Sequence, residues 1–347
     1  MSNQGEATAL PPWGPPYLLY LGSATDDLSI KTARGLAYWR SEWCLGQHRR
    51  HDCTVTLGLP DLDLAQAKAA GADTMVIGAA NAGGVMGPEI VADAVAALDA
   101  GLNVVAGLHH KLRDNPEIVA AARRNGRTLF DAREPGPGIP VGNGKPRAGR
   151  RLLTVGTDCS IGKMYTALAI ERSLRRRGLP ADFRATGQTG ILIAGAGVPI
   201  DSVVADFISG AAETISPARS DGGWDLVEGQ GSLFHPSYAG VSLGLLHGSQ
   251  PDALVLCHEP TRRHMRGLPD SPVPDLVACM EANLAAARLT NPAVRPVGIA
   301  LNTSRMPAQE AAAACERIGR QFGLPCQDPV SMGVEAIVDK IVACFAN

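Results

Sequence analysis

Short apolar runs alternate with longer segments of helical period along the first 134 residues. YLLYLG, beginning at Tyr17, is typical of a buried strand, whereas PEIVADAVAALDAG, beginning at Pro88, has the spacing of an amphipathic helix. The other predicted strands are CTVTLGL, DTMVIGAA, NVVAGLH and RTLFDAR, and the other predicted helices are LDLAQAKAAG and NPEIVAAARRNG. This rhythm predicts a mainly parallel sheet covered by helices.

The pattern breaks between residues 135 and 150, where PGPGIPVGNGKPRAGR has no period and is dense in proline and glycine. Such a stretch favours a boundary between domains. We therefore expect a flexible N-terminus over 1–15, an α/β domain over 16–134, a linker over 135–150 and a second α/β domain over 151–347.

The second half repeats the alternation of strands and helices. Its predicted strands are RLLTVG, ADFRATG, WDLVEGQG, DALVLCHE and RPVGIALNT. Its predicted helices cover 163–178, 201–214, 275–289 and 307–322, with a closing helix in GVEAIVDKIVACF. The predicted fold class is therefore α/β, with two domains that are each a mainly parallel sheet covered by helices.

Composition excludes several classes of protein. The 347 residues are 45% hydrophobic and 19% charged, as in an ordinary globular chain, and the net charge of −2 argues against nucleic acid as a partner. No apolar run approaches the roughly 20 residues of a membrane span, so we expect no membrane partner and a cytoplasmic location. The eight cysteines lack CxxC spacing, which indicates reduced thiols.

Two stretches of the first half carry weak signals for bound groups. Cys44, His48, His51 and Cys53 lie close together in CLGQHRRHDC, but their spacing differs from that of structural zinc sites. A polar turn leading into a strand is the expected structure, and no metal is expected. GAANAGG, at residues 78–84, lacks the GxGxxG pattern and supports a dinucleotide site only weakly.

The stretch VGTDCSIGKMYT, from Val155 to Thr166, predicts a phosphate-binding loop between a strand and a helix. Its glycines let backbone N–H groups converge on an anion, while the helix N-terminus and a lysine add positive charge. The spacing of Gly156, five residues and Gly162-Lys163 resembles the loop of dethiobiotin synthetase. The predicted cofactor-binding residues are Gly156, Thr157, Cys159, Ser160, Ile161, Gly162, Lys163, Met164 and Tyr165.

Met164 changes the chemistry expected of this loop. A Ser or Thr at that position normally binds Mg²⁺, for which a thioether is a poor ligand. Thr166 lies about 200° further around the helix and cannot replace it. The loop is therefore predicted to hold a phosphate rather than to cleave one, as a site for coenzyme A would. Cys159 is either a nucleophile activated by Lys163 and the helix or a small residue that fills a tight turn.

Polar residues follow the predicted strands of the second half, at the edge of a parallel sheet where ligands bind. Glu228 is the first candidate for a catalytic base, with Asp158 and Asp206 as alternatives and His235 as a further catalytic candidate. The predicted substrate-binding residues are Arg184, Thr186, Gln188, Thr189, Gln230, Ser232, Arg262 and Arg263. The arginines suit an acidic substrate, because a guanidinium can bind both oxygens of a carboxylate. Each of these residues could instead be an ordinary turn residue.

Together these stretches resemble a family of two-domain bacterial proteins, long described only as a domain of unknown function, that contains D-glutamate N-acetyltransferases. The matching stretches are LGLPDLDLAQAKAAGADTMVIGAANAGG, ALDAGLNVVAGLHHKL, VGTDCSIGKMYTAL, FRATGQTGILIAG, DFISGAAE, VEGQGSLFHP and DPVSMGV. The resemblance implies a Rossmann-like N-terminal domain, a P-loop-like C-terminal domain and acetyl transfer from acetyl-CoA to the amine of D-glutamate.

On this hypothesis the loop holds CoA phosphates, Arg184 and Arg263 hold the substrate carboxylates, and Glu228 accepts a proton. Loop N–H groups or Gln230 would stabilise the oxyanion. An acidic amino acid and acetyl-CoA are then the expected partners. A homo-oligomer is also expected, because most soluble oligomers are closed, symmetric assemblies of one chain. The alternatives are an ATP-dependent ligase or kinase related to dethiobiotin synthetase, against which Met164 argues, and a non-catalytic nucleotide-binding sensor.

Overall fold

The computed structural model describes residues 13–79 and 85–345, and the chain divides into two compact units. The first comprises Met1–Glu134 with Gln188–Pro199, and the second comprises Pro135–Gly187 with Ile200–Asn347. The N-terminus over 1–15 and the GAANAGG loop, about which predictions are made above, lie largely outside the described residues. Among the described helices, none combines the length and the apolar character needed to cross a bilayer.

The first unit is built on a five-stranded parallel sheet with the strand order β2-β1-β3-β4-β5. Buried Leu18, Met75 and Val104 lie in its core with side chains from the covering helices. The elements are β1 (Tyr17–Gly22), α1 (Lys31–Trp39), β2 (Cys44–Arg49), α2 (Leu64–Ala69), β3 (Thr74–Ile77), α3 (Pro88–Asp99), β4 (Asn103–Ala106), α4 (Pro116–Asn125) and β5 (Leu129–Asp131).

Two linked predictions are wrong: Cys44–Arg49 forms strand β2 where a polar turn was expected, and residues 53–59 form a loop where a strand was predicted in CTVTLGL. The side chain of buried Gln47 supplies hydrogen bonds to this loop in place of a neighbouring strand. Its amide donates to Thr56 Oγ1 at 2.8 Å, and its carbonyl oxygen accepts from the N–H of Leu57 at 2.7 Å. Apolar alternation could not reveal this, since a buried glutamine satisfies the loop backbone.

The second unit is built on a six-stranded parallel sheet with the order β13-β12-β9-β6-β8-β7. All five predicted strands are present. Its elements are β6 (Arg150–Gly156), α5 (Lys163–Arg176), β7 (Ala181–Arg184), α7 (Ile208–Ile215), β8 (Trp224–Val227), α8 (Ala239–Ser249), β9 (Ala253–His258), the hairpin β10 (His264–Met265) and β11 (Leu268–Pro272), α9 (Leu276–Arg288), β12 (Arg295–Leu301), α10 (Ala308–Phe322), β13 (Cys326–Gln327) and α11 (Glu335–Phe345). The remaining helix, α6 (Gln188–Ala194), belongs to the first unit.

The helix predicted over 201–214 is shorter than expected. Only α7 is α-helical there, and two 3₁₀ turns precede it. Val204 interrupts the segment with an extended backbone, φ −59° and ψ 138°. Since Val203 and Val204 are both β-branched, they disfavour a continuous helix at this point.

Strand β6 lies between β8 and β9, so the loops that follow these three strands meet at one edge of the sheet. Gly229 fixes the position of the loop after β8 against strand β6. Its N–H donates to Thr154 Oγ1 at 3.0 Å, and a Cβ added to Gly229 would lie 1.6 Å from the carbonyl oxygen of Thr154. Only glycine allows this approach of backbone to backbone.

Gly229→Ala should therefore lower the free energy of unfolding by about 3 kcal/mol or more, because the clash is with backbone that cannot rotate away. The control is Gly240→Ala in α8, where an added Cβ meets nothing within 4 Å. That variant should gain up to about 1 kcal/mol. Urea unfolding of both variants measures the difference, and equal stabilities would contradict the role given to Gly229.

Candidate functional site

The loop between β6 and α5 forms a cradle of backbone donors, residues 157–164. Ser160, at φ 53°, and Gly162, at φ 104°, both have left-handed backbone conformations that turn successive N–H groups inward. Five consecutive N–H groups, those of residues 160–164, donate to no other residue that the structure describes. The cradle therefore has the donors of an anion site.

Lys163 joins the cradle to the segment that follows β8. Its ammonium group is buried and donates to the carbonyl oxygens of Asp158 at 2.6 Å and Gly231 at 2.9 Å. Burial lowers the pKa of Lys163, and nearby thiols and Asp158 act against that shift. Thr166 donates its hydroxyl to the carbonyl of Gly162 at 3.0 Å, so it does not replace the hydroxyl that Met164 lacks.

The segment after β9 also contacts the cradle through hydrogen bonds. Arg262 donates to Asp158 Oδ2 at 2.8 Å and to the carbonyl of Cys159 at 2.7 Å, and it pairs with Glu259. The N–H of Arg266 also donates to Asp158 Oδ2, at 2.8 Å. Arg262, predicted as a substrate ligand, thus already supports the loop, and Asp158 is fully buried within these contacts.

Two further residues lie at this edge beside the predicted site residues. His258 ends β9 and shares a hydrogen bond of 2.9 Å with the hydroxyl of Thr157, and burial lowers the pKa of His258 to about 4. Arg266 donates to Ser160 Oγ at 2.5 Å. The pairing of β9 with β6 explains their position, because the residues that follow two neighbouring parallel strands lie side by side.

Glu228 follows β8 and is almost completely buried. Its Oε2 accepts hydrogen bonds from the N–H groups of Thr186 at 2.9 Å and Gly187 at 3.1 Å. Burial raises the pKa of Glu228 to about 7, although these two hydrogen bonds and Lys163 favour the charged form. A carboxyl group with this pKa can take up and release a proton near neutral pH.

Thr186 and Gln230 form a hydrogen-bonded chain with Glu228, and Ser232 follows two residues after Gln230. The Thr186 hydroxyl donates to the carbonyl of Glu228 at 2.6 Å and accepts from the Gln230 amide at 3.1 Å. Ser232 is buried, and its hydroxyl accepts from the N–H of Phe234 at 3.2 Å. These predicted residues are therefore brought together in the second unit.

Arg184, predicted to bind a substrate carboxylate, lies in an ion-pair network. Its Nε donates to Asp225 Oδ1 at 2.8 Å, and the same oxygen accepts from Arg219 at 2.9 Å. Because Asp225 is fully buried, these two cations balance its charge. Arg263, by contrast, is exposed and has no side-chain partner within the described part of the chain.

Asp206, Gln188 and Thr189 complete the set of predicted site residues. Asp206 is exposed in the 3₁₀ turn Ala205–Phe207. Gln188 and Thr189 belong to the first unit, where Gln188 accepts from Arg133 at 3.2 Å and Thr189 shares a 3.0 Å hydrogen bond with Thr32.

Potential metal ligands come together at one place among the described residues. A carboxylate oxygen of Asp158, the sulfur of Cys159 and a ring nitrogen of His235 lie within 4.8 Å of one another. No such group forms from the cysteines and histidines of CLGQHRRHDC, all of which are described. Asp158 and Cys159 belong to the cradle, and His235 lies beside it.

Two family models match the chain. The model described as a Rossmann-like domain of unknown function (DUF1611_N) matches residues 47–135, and the P-loop domain of unknown function (DUF1611_C) matches residues 140–338. Both agree with the fold classes that the sequence predicts.

Relatives with these two domains are known. The chain is 51% identical over 324 residues to a D-glutamate N-acetyltransferase from a Pseudoalteromonas species, covering 93% of this chain and 98% of the relative. It is 49% identical over 328 residues to another from Tritonibacter scottomollicae, covering 94% and 98%. A crystal structure of a DUF1611 family protein from Anabaena variabilis superposes with a TM-score of 0.87 at 31% identity, covering 95% of this chain and all of that one.

Proposed function

This chain belongs to the DUF1611 family, and we propose that it transfers an acetyl group from acetyl-CoA to the amino group of D-glutamate. The acyltransferase activity follows from the two D-glutamate N-acetyltransferases that are about half identical over nearly the whole chain. The observation that supports acetyl-CoA as the donor is the cradle, whose five free N–H groups and buried Lys163 supply the donors and the positive charge of an anion site.

Met164 supports the same donor. The residue after the lysine offers a thioether, which is a poor partner for the Mg²⁺ that phosphoryl transfer requires. A cosubstrate such as acetyl-CoA needs its phosphates held but not cleaved. Its reactive thioester lies at the other end of the molecule, so the phosphates serve only to position it.

Glu228 is our candidate for the base that activates the acceptor. An ammonium group has no lone pair, so the amine of D-glutamate must lose a proton before it attacks the thioester carbonyl carbon. The C–N bond then forms as the carbonyl electrons move to oxygen. The nitrogen is positively charged after the attack and then loses a second proton. When the C–S bond breaks, the thiolate of CoA can take the proton that Glu228 received, and the other proton passes to solvent.

Arg263 is the better candidate for holding a carboxylate of the acceptor. Its guanidinium is exposed, whereas the guanidinium of Arg184 is already paired with Asp225. A free guanidinium can bind both oxygens of a carboxylate at once. A closed homo-oligomer and a cytoplasmic location stay predictions from the sequence.

The purified protein should release one free thiol for each D-glutamate acetylated when it is incubated with acetyl-CoA. A thiol reagent follows the release, and mass spectrometry identifies the product. L-Glutamate and D-aspartate test the acceptor, and Mg-ATP replaces acetyl-CoA in a parallel assay. Hydrolysis of ATP without thiol release would instead support a ligase or kinase.

A further inference from the structure

Arg266 follows the short strand β10 and lies against the cradle. Its N–H donates to Asp158 Oδ2 at 2.8 Å, and its guanidinium donates to Ser160 Oγ at 2.5 Å. Arg266 and Ser160 are both exposed, whereas Lys163 is buried. The loop therefore has a buried cation and, against the residue that supplies the first of its five free N–H groups, a solvent-accessible one.

The charge of Arg266 is not balanced by a carboxylate. Among the described residues its guanidinium makes no ion pair, and the acceptor that it does have, the Ser160 hydroxyl, is neutral. Arg262, in contrast, pairs with both Asp158 and Glu259. A guanidinium carries several N–H donors, so Arg266 keeps most of its donors and its charge for a ligand.

The diphosphate of CoA needs more positive charge than the lysine alone supplies. In magnesium-dependent phosphate loops the metal ion neutralises part of the phosphate charge, and the hydroxyl after the lysine helps to hold it. Met164 has a thioether at that position. Lys163 contributes a single charge and also donates to the carbonyl oxygens of Asp158 and Gly231. A second cation from the protein would make up the difference.

The potential metal ligands beside the cradle are a poor replacement for the missing magnesium site. Asp158, Cys159 and His235 lie within 4.8 Å of one another, but Mg²⁺ prefers oxygen ligands to sulfur and imidazole nitrogen. The carboxylate of Asp158 already accepts from the N–H of Cys159 at 2.7 Å and from Arg262 at 2.8 Å. Binding Mg²⁺ there would break contacts that hold the loop.

We propose that Arg266 binds the diphosphate of acetyl-CoA at the cradle and supplies the positive charge that Mg²⁺ provides in loops with a Ser or Thr after the lysine. This inference rests on the proposed acetyl transfer. A guanidinium can bind two phosphate oxygens at once, so Arg266 orients the diphosphate as well as neutralising it. It takes no part in the chemical step, because the thioester lies at the other end of the cosubstrate.

Arg266→Met should raise the dissociation constant for CoA about tenfold to a hundredfold, because it removes charge-assisted hydrogen bonds to phosphate. Arg266→Lys keeps the charge but cannot bind two oxygens in one plane, so it should recover part of the affinity. The control is Arg176→Met, an exposed position at the opposite end of α5, which should bind CoA like the wild type. Titration calorimetry measures the affinities, and thermal unfolding checks that each variant is folded. Wild-type affinity in a folded Arg266→Met variant would overturn the proposal.

Shortened donors identify the group that Arg266 holds. Acetyl-dephospho-CoA keeps the diphosphate and lacks only the phosphate on the ribose, so Arg266→Met should lower kcat/KM for it by the same factor as for acetyl-CoA. Acetyl-pantetheine has no phosphate, and its kcat/KM should be equal in the variant and the wild type. A loss confined to acetyl-CoA would assign Arg266 to the ribose phosphate. A loss that persists with acetyl-pantetheine would give Arg266 a structural role, and either result overturns the proposal.

Magnesium should have little effect on the binding of CoA. The dissociation constant of the wild type should stay within about twofold between EDTA and excess Mg²⁺, because the loop lacks the oxygen ligand that this ion prefers. Tightening of tenfold or more by Mg²⁺ would contradict the role given to Arg266. If the wild type binds CoA but releases no thiol with any amino acid, the proposed function fails. The titrations with CoA and dephospho-CoA still decide whether Arg266 holds the diphosphate.

Discussion

Glu228→Gln should lower kcat for acetyl transfer by about 10²–10⁴-fold while the dissociation constant for CoA stays unchanged. The amide preserves the size of the side chain, and its oxygen can still accept from Thr186 and Gly187, but it cannot take up a proton. Steady-state kinetics with acetyl-CoA and D-glutamate give kcat, and titration calorimetry gives the affinity. Glu228→Asp, which keeps a carboxylate, should retain more activity than Glu228→Gln.

The dependence of kcat/KM on pH tests the same role of Glu228. Burial raises the pKa of Glu228 to about 7, so the carboxylate that acts as base is present above that pH and is lost below it. The wild-type kcat/KM should therefore fall about tenfold per pH unit below pH 7, and Glu228→Gln should lose this limb.

A different outcome would locate the base elsewhere. Near-normal kcat in Glu228→Gln together with a large loss in Asp206→Asn would favour the exposed carboxylate of Asp206. Glu310→Gln, at the exposed start of α10, controls for the loss of one negative charge.

Lys163→Met should weaken CoA binding by about tenfold to a hundredfold, because a charged donor to an anion contributes roughly 1.5–3 kcal/mol. The ammonium also joins the carbonyl of Asp158, in the cradle, to that of Gly231, after β8, so its loss releases the contact between these two segments. Titration calorimetry with CoA measures the change. Lys145→Met removes the same charge from an exposed side chain and should bind CoA like the wild type.

Lys163→Met and Glu228→Gln should change different kinetic and binding constants. The first should lose affinity for CoA, and the second should lose turnover with affinity intact. Thermal unfolding of both variants checks that each is folded. Undiminished CoA binding by a folded Lys163→Met variant would mean that the phosphates are held elsewhere.

The phosphate loop could be predicted from the sequence because all its parts are contiguous. A strand, a glycine-rich turn and a helix follow one another between Arg150 and Arg176, and local geometry alone brings their donors together. The family expectation is confirmed as well, by models that match both halves of the chain and by relatives about half identical to it.

Contacts between distant segments could not be predicted in this way. The availability of Arg184 depends on Asp225, which is 41 residues away and pairs with it only because β7 lies beside β8. The protonation of the His235 ring could not be predicted either. The nitrogen that carries the proton depends on the N–H of Ser237, which donates to Nδ1. Gln188 follows Gly187 directly, yet the two belong to different compact units.

The five unpaired amides of residues 160–164 have a consequence for the life of the protein. A ligand that satisfies them binds only the folded chain, so it adds to stability by mass action, about 2.7 kcal/mol at a hundredfold excess over its dissociation constant. On the proposed function acetyl-CoA is that ligand, so the enzyme should resist heat and proteolysis best when acetyl-CoA is plentiful. In a starved cell, shortage of the donor would then reduce the amount of catalyst as well as its rate.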